Sequence, residues 1–272
     1  MPGLFLYSRG GISMSKQSNF IAEVVSGAQE GMQKYGILAS LTMSQGADES
    51  GWAKDAPGYN MFGIKANGWS GKTQLLTTKE QKSDGTYVTV KALFRAYDSL
   101  SASIEDHGAF LSGISRYKNL IGCRDYKTAC ERIRTDGYAT ELSYSTDLIN
   151  LIEENNLAKY DTLPTELTID AVHCAKGVLT ISGWALVMNG LLHVDLYCDG
   201  KDAKHGITNT RIFVNRPDVN AARNKFGWFA DGAKCGWNII TSRIPKGRHT
   251  LYIAAVGKDN SVTWQSANVT MV

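Results

Sequence analysis

The chain has 272 residues, 43% of them hydrophobic and 20% charged, with a formal net charge of +3. That length suits one large or two ordinary globular domains. The charge is too small to argue for nucleic acid, and no apolar run approaches the roughly 20 residues of a membrane-spanning helix.

Leu4-Phe5-Leu6-Tyr7 is too short for a signal-peptide core and no small-residue cleavage pattern follows it. The sequence therefore predicts no export route of its own. Met14-Ser15-Lys16 looks like a natural start, so residues 1–13 are set aside as an upstream extension. From Asn19 to Gly36 the spacing of Phe20, Ile21, Val24, Val25, Ala28 and Met32 predicts a helix, capped by Ser18 or Asn19 and stopped by Gly36. Ile37 to Ser50 reads as a second helix, with Gln45 and Glu49 four residues apart on one face. Gly51 is its stop.

After a loop from Trp52 to Ser70, two alternating runs, Lys72–Glu80 and Thr86–Phe94, flank Ser83-Asp84-Gly85, a hairpin signal. Helices are then expected from the Ser99 cap to about Leu111, over Asp125–Thr135, and from Tyr144 to about Leu157. The pattern changes after Tyr160. Asp161-Thr162-Leu163-Pro164-Thr165 is a polar linker, and Gly-punctuated β-like runs follow: Val178–Leu186, Leu192–Cys198, Asn238–Ile244, His249–Val256 and Val262–Met271. Strands at that spacing predict a β-sandwich. Up to Asp161 there are 17 Lys+Arg against 18 Asp+Glu, and after it 12 against 8, so the second part is mildly basic.

The residue with most chemical content is Glu49. A carboxylic acid beside an apolar ring, here with Trp52 three residues on, has a raised pKa and can hand its proton to a leaving oxygen. Glycosidic bond cleavage uses such an acid. The alternative is a solvated glutamate at a helix end. None of the five histidines, His107, His173, His193, His205 and His249, lies at metal-ligand spacing with another. His107 reads as a helix-face residue near the core. The five cysteines, Cys123, Cys130, Cys174, Cys198 and Cys235, are odd in number and lack CxxC spacing, which favours free thiols. No cofactor or metal is expected.

Four blocks in order carry a resemblance: Ser44-Gln45 through Glu49-Ser50-Gly51-Trp52, Asn60-Met61-Phe62-Gly63-Ile64-Lys65, Phe94-Arg95-Ala96-Tyr97-Asp98-Ser99 and Gly137-Tyr138-Ala139-Thr140. Together they resemble the bacterial and phage N-acetylglucosaminidases of glycoside hydrolase family 73, from about Phe20 to Asp161. The resemblance implies an α+β lysozyme-like domain, mostly helical with a β-hairpin, over 14–161; the residues beyond it read as a linker at 162–166 and an all-β sandwich over 167–272. It implies hydrolysis of the β-1,4 bond following N-acetylglucosamine in peptidoglycan, with Glu49 as general acid. Glu80 sits where the family often has a Thr-x-Glu element; it would be a base, a charge stabiliser, or only a hairpin-end residue paired with Lys79 or Lys82. Tyr138 matches a tyrosine of the family's catalytic region. Asn60, Phe62, Trp69 and Gln45 are candidate substrate-binding residues, Phe62 equally a core residue. Two departures stand out: Asp48 where an apolar residue is usual, and Ala53 where glycine is.

The second part looks like the β-sandwich modules of clostridial surface proteins and phage endolysins, through Ser182-Gly183-Trp184, Tyr197-Cys198-Asp199-Gly200, Arg216-Pro217-Asp218-Val219 and Gly247-Arg248-His249-Thr250-Leu251. A role in holding the wall, with Trp228 and Phe229 as candidates, is weighed against a homo-oligomer interface. The expectation is a phage-type endolysin that stays in the host cytoplasm until a separate pore releases it to the peptidoglycan of a Gram-positive, clostridial wall. The alternatives are a non-catalytic wall-binding protein, a bacterial autolysin or a muramidase.

Overall fold

The computed structural model describes residues 15–81 and 86–272, and of 79–81 and 87 the backbone alone. The proposed extension 1–13 and the hairpin turn at 83–85 lie outside the described residues. The chain divides into two compact units, the first ending at Asp161 and the second beginning at Thr162.

The first unit is built on α1 (Lys16–Tyr35) and α2 (Ala39–Ser50). The cap of α1 is Ser15, not Ser18 or Asn19: its side chain accepts from Ser18 N at 3.1 Å. Gly36 ends the helix at φ 76° and returns its N–H to Met32 O. Phe20, Val24, Ala28 and Met32 form the buried stripe of α1. The helix α2 is buried on nearly every side, from Ala39 to Ala47. Its small residues allow that: a Cβ on Gly46 would come within 2.9 Å of Met61. The residue before it, Leu38, offers no side-chain cap. The cap arrives from the far end of the unit, where the Asp161 carboxylate accepts from Ser40 N at 2.7 Å and from Ser40 Oγ at 2.6 Å. An anion at a helix N-terminus satisfies N–H groups that have no intrahelical partner.

The hairpin pairs β1 (Thr73–Gln81) with β2 (Tyr87–Arg95) in antiparallel register, Thr73 opposite Arg95. Three helices follow: α3 (Leu100–Gly113), capped by Ser99 onto Ala102 N, α4 (Tyr126–Thr135), capped by Asp125, and α5 (Tyr144–Glu154). The last ends three residues before Leu157, because Asn156 adopts φ 49° and turns the chain into a 3-10 segment, Leu157–Tyr160. A 3-10 segment at Ser115–Leu120 had no signal in the periodicity.

The second unit is two antiparallel four-stranded sheets enclosing one core. One has β3 (Glu166–Ala175), β4 (Val178–Leu186), β8 (Gly236–Thr241) and β7 (Phe213–Val214) in the order β3-β4-β8-β7. The other has β5 (Leu191–Cys198), β6 (Gly206–Thr210), β9 (Gly247–Gly257) and β10 (Val262–Met271) in the order β10-β9-β5-β6. Leu179, Ile181, Val194, Leu196, Trp237, Leu251 and Ile253 fill the space between them. The strands β3, β6 and β7 and the short α6 (Pro217–Arg223), which begins on a proline, escaped the sequence reading. All five cysteines are free thiols. Among the described residues, no helix is long and apolar enough to cross a membrane.

Candidate active site

Glu49 occupies the last turn of α2, and Gly51 ends that helix at φ 56°. Trp52 and Ala53 continue in the left-handed region, at φ 67° and 62°. Ser50 braces the turn, its hydroxyl donating to Gly46 O and accepting from Ala53 N. The chain thus reverses sharply just after the acid.

Residue 49 as a whole is exposed, yet its carboxyl meets the hydroxyl of Tyr144, which donates to Oε1 at 3.2 Å. Tyr144 is buried and in turn accepts from Gln45 Nε2 at 3.1 Å. Its ring stacks on Tyr138, 6.0 Å between centroids at 17°. Desolvation pushes the Glu49 pKa up, and the neighbouring Asp48 charge adds to the rise, while the Tyr144 bond opposes it. Asp48 is itself raised, by burial and by the charges of Asp147 and Glu141. The apolar partner expected for Glu49 is therefore not Trp52. That ring packs edge-on against Phe20, 5.4 Å away, and lines a separate depression beside α1.

Tyr138 makes no hydrogen bond to the described residues through its hydroxyl, and it borders a groove of about 310 Å³. Phe62, Lys65, Arg95, Phe110 and Arg116 share that lining. Phe62 is buried at the groove floor and stacks on His107 at 3.7 Å. Burial holds the His107 pKa down at about 3, so the ring is a neutral packing surface, and neither nitrogen has a hydrogen-bond partner among the described residues. Arg95 binds Asp106 at 2.6 Å and lies 4.5 Å from the ring of half-buried Trp69.

Several expected site residues lie elsewhere than on an open surface. Gln45 is fully buried and acts behind Tyr144 rather than on a ligand. Asn60 is buried too, donating to Ile64 O and Arg95 O and accepting from Ile64 N, so it ties the loop to the hairpin. The backbone of Glu80 pairs with Val88, while its side chain lies outside the described residues. In the second unit, Trp228 and Phe229 are only 2% and 3% exposed, which corrects their reading as wall-contacting rings. Tyr144 was missed, since nothing local links it to an acid 95 residues earlier.

Donor atoms of Cys198, Asp199 and His249 lie within 4.8 Å of one another, close enough to hold a metal ion. Cross-strand pairing brings them together where sequence spacing did not. Both His249 ring nitrogens already have partners, Asp199 Oδ2 at 2.7 Å and Pro245 O at 3.0 Å.

Residues 25–157 match the family profile described as mannosyl-glycoprotein endo-beta-N-acetylglucosaminidase. The chain is 32% identical over 162 residues to the exo-glucosaminidase LytG of Bacillus subtilis, covering 57% of each protein. It is 34% identical over 157 residues to an autolysin of Enterococcus faecalis, covering 53% of this chain and 21% of that one. Among solved structures, the catalytic domain of the autolysin Auto from Listeria monocytogenes superposes with a TM-score of 0.50 at 30% identity, over 56% of this chain and 91% of that domain. The chain thus spans about half or less of the length of these curated relatives.

Proposed function

Through residues 25–157 the chain belongs to the glucosaminidase family, and from that membership we propose a peptidoglycan hydrolase, an endo-β-N-acetylglucosaminidase with Glu49 as general acid. The observation that carries this reading is the Glu49 carboxyl, raised by desolvation and steadied by the Gln45–Tyr144 pair. A protonated carboxyl delivers its proton to the bridging oxygen as the glycosidic bond lengthens. The adjoining groove adds support: its partly exposed Phe110 and Tyr138 rings suit sugar faces, and Lys65 and Arg116 suit the carboxylates that muramic acid and its peptides carry. Tyr138 would meet the acetamido group. The second group of the reaction, in this proposal, is Glu80 acting on water or the substrate's own acetamide.

The second unit would hold the enzyme on the wall. A phage endolysin acting on a Gram-positive wall, kept in the host cytoplasm until a pore opens, is the type favoured by the looser resemblance of that unit. A bacterial autolysin is the second reading, favoured by the names of the relatives. Homo-oligomerisation is the rival role for the second unit.

Turbidity of purified walls tests the enzyme. Wild type is expected to clear them and Glu49→Gln to do so at least about a thousandfold more slowly. Equal rates would leave a non-catalytic wall-binding protein. Mass analysis of the fragments then reads the bond: a reducing N-acetylglucosamine end is expected, and a reducing muramic acid end would mean a muramidase.

A further inference from the structure

With Trp228 and Phe229 buried, the wall-holding surface must lie elsewhere, and one sheet of the second unit offers it. Tyr197 of β5 and Tyr252 of β9 are direct cross-strand partners. Trp264 of β10 lies one strand further, opposite Ala254. Leu196, Leu251 and Ile253 on the same strands point into the core, so alternation sets the three aromatics on the outer face. All three stay partly accessible. The Tyr197 and Trp264 rings meet at 5.3 Å between centroids. The Lys201 ammonium lies 5.1 Å from the Tyr252 ring and 5.2 Å from the Trp264 ring.

Polar hollows flank this row. One, about 280 Å³, is lined by Asp195, Tyr197, Thr208 and Asn209. The other, about 490 Å³, is lined by Arg248, Thr250, Asn268 and Thr270. Thr250 Oγ1 donates to Asn268 Oδ1 at 3.1 Å.

We infer that the Tyr197–Tyr252–Trp264 row binds the glycan strand of peptidoglycan, sugar faces on rings. The inference deepens the wall-holding role proposed above and rests on it. Pyranose C–H faces are apolar and weakly positive, and they stack on the negative face of an aromatic ring. Hydroxyl and acetamido groups then reach the Thr, Asn and Asp side chains at either side, and Lys201 meets a carboxylate. The outer two rings, Tyr197 and Trp264, close across β9 to 5.3 Å between centroids, so the three form one continuous aromatic patch for a sugar face. A phosphate polymer fits less well, because the cations here, Lys201 on the rings and Arg248 in one hollow, stand among the carboxylates of Asp195 and Asp199, where a polyanion calls for a field of cations. A second copy of the chain fits less well too, since apart from Val262 and Val256 beside Trp264 the outward neighbours Thr250, Ser266 and Asn268 are polar.

The test is cosedimentation of the full chain, carrying Glu49→Gln so that nothing is cut, with peptidoglycan stripped of its phosphate polymers. Tyr252→Ala and Trp264→Ala are each expected to bind about three- to tenfold more weakly, while Tyr252→Phe keeps its ring and its binding. Undiminished binding by alanine variants that melt like the parent overturns the proposal. So does binding that vanishes once the phosphate polymers are removed. Fluorescence of the same chain titrated with N-acetylglucosamine oligomers gives a readout without a truncated side chain: part of the change is expected to go with Trp264→Phe, and an identical change in that variant counts against the row. Failure of the hydrolase reading looks different, as wild type would then bind walls through these rings and clear none.

Discussion

Tyr144→Phe removes one oxygen and leaves the ring that stacks on Tyr138. Two hydrogen bonds disappear: Gln45 Nε2 loses its acceptor at 3.1 Å, and Glu49 Oε1 loses its donor at 3.2 Å. Gln45 is fully buried and its Oε1 has no partner among the described residues, so the variant strands a whole amide. A buried polar group left unsatisfied costs about 1–3 kcal/mol, a fall of several degrees in Tm. The lost bond had also stabilised the charged carboxylate, so the Glu49 pKa moves further up. A general acid works protonated, and activity falls as pH rises through its pKa. The alkaline limb of the pH–rate profile is therefore expected to move to higher pH in the variant. The rate itself drops by about tenfold or more, as the acid loses its fixed aim. Calorimetry and wall clearing across pH measure both. An unchanged Tm with an unmoved limb, or a limb moved to lower pH, refutes the reasoning.

Ala53→Gly is expected to stabilise the first unit by about 1 kcal/mol, because Ala53 sits at φ 62° where only glycine is unstrained; the midpoint of urea unfolding reads it. Gly183→Ala acts the other way: its Cβ would lie 1.9 Å from Thr168 O and 2.6 Å from the Trp237 ring, so β3 must shift, at about 3 kcal/mol or more by the same assay. The Asp161 pKa is raised by burial to about 6 from 3.8, so the folded chain keeps a proton there that the unfolded chain has released. Stability of the first unit should fall by up to about 3 kcal/mol as pH climbs from 4 to 6. Asp161→Asn, which keeps an acceptor for Ser40 N, should flatten that slope; an equally steep slope in the variant would show that other groups cause it.

Local patterns carried much of the architecture. Ser99 and Asp125 cap helices because a short polar side chain reaches an amide three residues on, and such contacts are written in adjacent letters. Gly36 and Gly51 stop helices for an equally local reason, a positive φ. The sequence pattern foretold the hairpin strands to within one residue at each end, and the strands Val178–Leu186 and Val262–Met271 to the residue. It gave no sign of α6, a single short helix with little periodicity to read.

The acid Glu49, at the end of a helix and before a glycine, was fixed by the sequence itself. What surrounds it was decided by the tertiary structure. Tyr144 and Asp161 reach α2 from 95 and 121 residues away, one to hold the acid and one to cap the helix behind it. Burial of Gln45, Asn60, Trp228 and Phe229, and the alignment of Tyr197, Tyr252 and Trp264 across three strands, are of the same kind. Periodicity tells which residues share a face, but the partner of that face is chosen by packing among distant segments, and no short window of sequence holds that choice.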